Sequence, residues 1–219
     1  MLNSSLTNSQ LFLVSIIPVL FAIVLHEVAH GWAAFKLGDK TALMLGRLSL
    51  NPIKHIDPIG TILVPIILYY SVGFIFGWAK PVPIDWRNLR KPKRDTALVA
   101  IAGPMANLFM ALFWGLIILI ATKIFSQTSS HLIYFANMAA IGIFINILLM
   151  VFNLIPIPPT DGGRVLASLL PNHLANSMNK VEPYGLLILV VLMITGVLWT
   201  VIAPIVKFIN QLLFSLIGI

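Results

Sequence analysis

Residues 11–37 form one apolar stretch whose only polar side chains are Ser15, His26, Glu27, His30 and Lys36. Wound as a helix at 1.5 Å per residue it would be about 40 Å long, more than the roughly 30 Å hydrocarbon core of a bilayer. Further apolar runs cover residues 59–78, 96–122, 132–152 and 184–218. Only 10% of the 219 residues are charged and 59% are hydrophobic, against about 25% charged in a soluble domain. A soluble core of this size could not hide so much apolar surface, so the chain belongs in a membrane. The predicted fold class is an all-α polytopic membrane protein. It has about five to six membrane segments and a re-entrant or β-hairpin region near residues 40–78.

The loops set the topology. The segment 80–95 carries Lys80, Arg87, Arg90, Lys91, Lys93 and Arg94 against Asp85 and Asp95, whereas the loop 123–131 has one charge, Lys123. Basic loops stay in the cytoplasm, which places 80–95 inside and 123–131 outside. The first helix has an uncharged amino end and is followed by Lys40, Arg47 and Lys54, so it should run from outside to inside. It lacks the basic leader of a signal peptide and reads as a retained helix. Loops 38–58 and 80–95 then share one side, and the run 59–78 between them cannot simply cross. Its Gly60, Pro65, Gly73 and Gly77 suit a segment that enters and returns. Residues 43–50 partly alternate and are expected as a short strand. A Pro-rich break at 155–163 precedes a short helix at 164–170, and the last apolar stretch is broken near Pro204. The whole is expected as one domain, 1–219, with a core at about 11–170 and C-terminal membrane segments at 184–218.

Most of the excess of 14 Lys and Arg over 7 Asp and Glu lies in these loops. It fits anionic lipid headgroups, and no aromatic-basic interleaving points to nucleic acid. The chain has no cysteine, so any metal must be held by His, Asp or Glu.

Within the first run stands His26-Glu27-Val28-Ala29-His30. Residues four apart share a helix face, so both imidazoles reach one metal, and Glu27 is beside them to hold the attacking water. Three ionisable residues within five positions of a membrane helix are costly without a function. Two His leave a zinc ion short of a protein ligand. Asp161 is at the edge of a span on the same predicted side and is followed by two glycines. On its own it reads better as the N-cap of the helix at 164–170; an incomplete metal site favours the ligand. Asn153 reads equally as a helix C-cap, an interhelical hydrogen-bond partner or a functional amide. Asn107, beside Gly103 and Pro104, reads as a polar clasp in a small-residue packing face. His55 and Asp57 could lie near the metal on a re-entrant loop, but a turn with solvated side chains explains them as well, and they are not taken as ligands. His131 and His173 read as loop residues.

Three motifs in order, His26-Glu27-Val28-Ala29-His30, Gly103-Pro104-Met105-Ala106-Asn107 and Asn153-Leu154-Ile155-Pro156-Ile157-Pro158-Pro159-Thr160-Asp161-Gly162-Gly163, resemble the site-2 protease family of intramembrane zinc metalloproteases. The family often has Leu before the Asp-Gly pair; here it is Thr160. The resemblance is to the short members without a PDZ or CBS domain. It implies that His26, His30 and Asp161 bind Zn2+, that Glu27 is the catalytic acid/base, and that Asn153 positions substrate or stabilises the oxyanion. It also implies a transmembrane protein or peptide as substrate, cut within or near its membrane segment; separately, the strand expected at 43–50 would offer an edge to hold an unwound segment. Membrane lipid, a second copy of the chain or a regulatory membrane protein are the other expected partners. The expected location is a prokaryotic cell membrane, with the active site towards the cytoplasm. The competing readings are a metal or proton transporter and an inactive scaffold. A transporter needs polar residues along a complete path, and residues 11–25 offer only Ser15. A scaffold predicts a broken motif, and this one is intact.

Overall fold

The computed structural model describes residues 6–72, 77–124 and 130–217. Helix α1 (Asn8–Leu37) opens on a capping box, in which Thr7 and Gln10 each accept the other's backbone N–H. It stops at Gly38, whose φ of 124° favours glycine and where a Cβ would lie 2.8 Å from the Asn88 carbonyl oxygen. Helix α2 (Thr41–Met44) is a single turn seeded by Asp39, which accepts the Thr41 N–H and hydroxyl.

The strand expected at 43–50 does not form, and no strand occurs among the described residues. The N–H groups of Met44, Leu45 and Arg47 bond to the carbonyls of Lys40, Thr41 and Ala42, and Gly46 turns the chain at φ 62°. The donors of residues 44–47 are thus spent locally and cannot form a ladder. The alternation served packing instead: Ala42 and Leu48 lie against Gly31 of α1, while Leu43, Leu45 and Leu50 are exposed.

The Asp57 carboxylate accepts the N–H groups of Ile59 and Gly60 and starts a wide helical turn, Pro58–Leu63, that continues as α3 (Val64–Val72). The chain then comes back to its starting point. Trp78 N–H donates to the Gly60 carbonyl, Lys80 N–H to the His55 carbonyl, and the Thr61 hydroxyl to the Trp78 carbonyl. Hydrogen-bonded neighbours cannot be on opposite faces of a membrane, so this run returns to the side it left. Gly60 permits the closure, since its missing side chain is replaced by the Trp78 indole.

The two long helices α4 (Pro92–Ile124) and α5 (Ser130–Asn153) pack antiparallel, with the Trp114 indole filling the space above Gly142. Helix α1 lies against both, antiparallel to α4 and parallel to α5, as the pairs Ala22–Asn107, His30–Val99 and Gln10–Tyr134 show. Ala111, Ile118, Ala139, Ile143 and Ile147 form the buried centre. After the Pro-rich link, α6 (Asp161–Leu169) packs on α4, and α7 (Asn172–Ile194) bends by 46° between Met178 and Lys180. Gly196, at φ 76°, leads into α8 (Val197–Ile217). Among the described residues, α1, α4, α5 and α8 are long and apolar enough to cross a membrane, and the bent α7 makes five if taken as one span.

Candidate metal centre

Two turns of α1 carry the site. His26 and His30 are both 7% exposed, and their Nε2 atoms are 3.0 Å apart. The Asp161 Oδ2 is 3.3 Å from one and 3.2 Å from the other. Asp161 is free to do this because the N-cap of α6 is Thr160: its hydroxyl accepts the Gly163 N–H, and Asp161 becomes the first helical residue. The N-cap role weighed as the alternative for Asp161 thus falls to Thr160, one position earlier. The Pro-rich link can pass this close because Gly162 and Gly163 face its backbone at Leu154, Ile157 and Pro158, and Gly185 of α7 faces it at Pro158.

The neighbours fix both ring tautomers. The Val99 carbonyl only accepts, so His30 Nδ1, 2.7 Å away, carries the proton. Asn107 donates through Nδ2 to the Ala22 carbonyl and to Asn146 Oδ1, which turns its Oδ1 to His26 Nδ1 at 2.6 Å; that nitrogen is also a donor. Both Nε2 atoms therefore present lone pairs to each other and to the carboxylate, and the Asp161 Oδ2 is buried without a hydrogen-bond donor. Three converging lone pairs repel unless a cation sits among them. Ligands at about 2.0 Å in a tetrahedron are about 3.3 Å apart, and the three separations here are 3.0, 3.2 and 3.3 Å. The donor set fits zinc, with the fourth position open.

Glu27 is half-buried beside the pair, and its Oε2 accepts the Val82 N–H at 2.8 Å. Val82 lies between Pro81 and Pro83, so its N–H is the only backbone donor in that triplet. The Arg47 guanidinium holds the segment by donating to the Lys80 and Pro81 carbonyls. The sequence reading missed Val82, Arg47, Val99 and Asn146; backbone groups and remote clasps leave no pattern in a sequence. Asn107 was read as a clasp, and it is one that also orients His26.

Asn153 ends α5 half-exposed, with its Nδ2 donating to its own helix at Leu149. No hydrogen bond or ion pair joins it to the triad among the described residues. His55 is buried, not solvated, and bonds to the Ser49 carbonyl, while Asp57 is spent on its cap. His131 and His173 lie in the first turns of α5 and α7, not in loops.

A helical membrane protein with a two-His, one-carboxylate zinc site and a glutamate beside it is of the class of membrane zinc metalloproteases. The sequence profile of peptidase family M50 matches residues 115–196. YwhC of Bacillus subtilis, which carries the provisional name of zinc metalloprotease, is 39% identical over 193 residues, 84% of this chain and 83% of its own. Rip2 of Mycolicibacterium smegmatis, named in the same provisional way, is 31% identical over 85% of this chain and 69% of its own. Zinc metalloprotease MJ0392 of Methanocaldococcus jannaschii is 26% identical over 76% of this chain and 37% of its own. No solved structure gives a significant match. The chain belongs to peptidase family M50, the site-2 proteases, and is a metalloprotease whose cofactor is Zn2+.

Proposed function

We propose that this enzyme hydrolyses peptide bonds within or near the transmembrane segments of other membrane proteins. In this reading the whole chain, 1–219, works as one domain in a prokaryotic cell membrane. His26, His30 and Asp161 hold the metal and Glu27 is the acid/base. The observation that carries it is the depth of the site. The triad is built on the interior of a membrane-spanning helix, against Val99, Gly103 and Asn107 of a second and next to Asn146 of a third.

Zinc, when bound, supplies Lewis acidity and lowers the pKa of water at the site towards about 7. Glu27 takes the proton of the attacking water on its carboxylate and returns it to the leaving nitrogen. The Val82 N–H holds one oxygen of that carboxylate and so aims the other. The Nδ1 bonds to Asn107 and Val99 keep both imidazoles in the liganding tautomer. Asn153, half-exposed at the end of α5, has its amide oxygen free to orient a substrate backbone. The basic residues Lys36, Arg87, Arg90, Lys91 and Lys93 gather where α1 ends and α4 begins, which supports a site facing the cytoplasm.

The test compares zinc content and cleavage of a generic transmembrane substrate in liposomes. Glu27→Gln is expected to keep zinc and lose cleavage by at least about 100-fold, and Asp161→Ala to lose zinc. Cleavage by Glu27→Gln at the wild-type rate would remove the protease mechanism.

A further inference from the structure

Lys207 is the eleventh of 21 residues of the membrane-spanning α8, and it is exposed. Ten residues separate it from either end, about 15 Å of helix. It makes no hydrogen bond or ion pair among the described residues. Next to it is a crevice of about 700 Å³ between α5 and α8, lined by Ala140 and Phe144 from the middle of α5 and by Lys207, Gln211 and Phe214 from α8. Asn210 and Ser215 share that lining but spend their side-chain donors on their own helix. An unpaired ammonium at mid-depth on a lipid-facing helix is costly, and such groups normally have a partner.

The chain cannot supply that partner from its own acids. Its seven carboxylates are Glu27, Asp39, Asp57, Asp85, Asp95, Asp161 and Glu182. Glu27 and Asp161 belong to the metal centre. Asp39, Asp57 and Asp95 are held by backbone N–H groups outside the apolar stretches. Asp85 pairs with Arg87, and Glu182 with Arg164. A second copy brings the same set. Lipid phosphates are at the membrane surface, about 15 Å from the midplane.

We infer that the α5–α8 crevice is a docking surface for a transmembrane helix of another protein that carries an Asp or Glu near its midpoint, paired with Lys207. This surface stands independently of the catalytic reading, since none of its residues touches the metal centre.

The test reconstitutes the full enzyme in phosphatidylcholine liposomes with photocrosslinking peptides. Each peptide has about 20 Leu and Ala residues and a single central Glu or Leu. The Glu peptide is expected to crosslink to α8 about five- to tenfold more than the Leu peptide. Lys207→Met should abolish that preference, and Lys207→Arg should keep it. Equal yields from the two peptides, or a preference that survives Lys207→Met, would overturn the inference. So would loss of the preference when phosphatidylglycerol is added, because headgroups would then be the partner. Dimerisation of peptide-free enzyme that depends on Lys207 would overturn it in favour of a second copy.

Discussion

Asn107 spends every polar atom it has: its oxygen on His26, its two N–H groups on Ala22 of α1 and Asn146 of α5. It ties three helices together at the level of the candidate metal centre and sets the tautomer of His26. Asn107→Ala should therefore weaken zinc binding by about 10- to 100-fold, read by competition with a chelating dye, and leave the Glu27–Val82 bond intact. Gly103 acts by having no side chain. A Cβ there would be 2.6 Å from His30 Cε1 and 2.7 Å from His26 Cε1. Gly103→Ala should expel the metal while the helical content measured by circular dichroism is unchanged; a zinc-replete Ala variant would show that α4 can back away. That these three side chains could meet was legible, because helix periodicity puts His26 and His30 on one face and Asp161 was one of few acids left. The backbone partners were not: Val99 orients His30 and Val82 orients Glu27 through backbone atoms that no side-chain pattern encodes.

Among the elements, the long helices announced themselves through uninterrupted apolar length, and the returning run 59–78 through its glycines and its flanking loops of one sign. Residues 43–50 did not, because alternation over so few positions cannot separate a strand from a turn packed on a helix. What decided that stretch was Asp39. Burial alone would disfavour its charge, but the Thr41 hydroxyl, the Asn88 amide and the N–H groups of Thr41 and Asp85 all donate to it. Together they hold its carboxyl below the ordinary carboxylate range. A depressed folded-state pKa contributes stability that is fully present above the unfolded value of about 3.9 and is lost as pH falls through the folded value. Asp39→Asn should thus be less stable than wild type at pH 7, with the gap closing as the pH drops below about 4. A gap that stays constant down to pH 3, measured by thermal unfolding in detergent, would mean the charge is not what holds α2 and the Asp85–Asn88 turn to the end of α1.

At the scale of the molecule the candidate metal site brings together side chains from α1 and α6, two helices that both pack on α4. Two of the three groups that could hold the metal come from α1 at the amino end, and the third from α6 after the Pro-rich link. Helix α6 is seated on α4, and the link is clasped between Gly163 and Gly185. Only Asp161, however, brings a carboxylate to the imidazoles. A ligand that binds the folded state alone stabilises it by mass action, about 4 kcal/mol at a free concentration 1,000 times Kd. Chelation should consequently lower the melting temperature in detergent, and the drop should shrink as free zinc is restored. The loss should also be local. Amide exchange should rise across residues 154–163 and stay slow in the buried centre around Ile143 and Ile147, which packs through apolar contact. Glu27→Gln, with all three donors intact, should shift on chelation as far as wild type. Asp161→Asn should shift much less. An equal shift in both would mean that the chelator acts at a different metal, and that zinc at the three converging lone pairs does not tie α6 to α1.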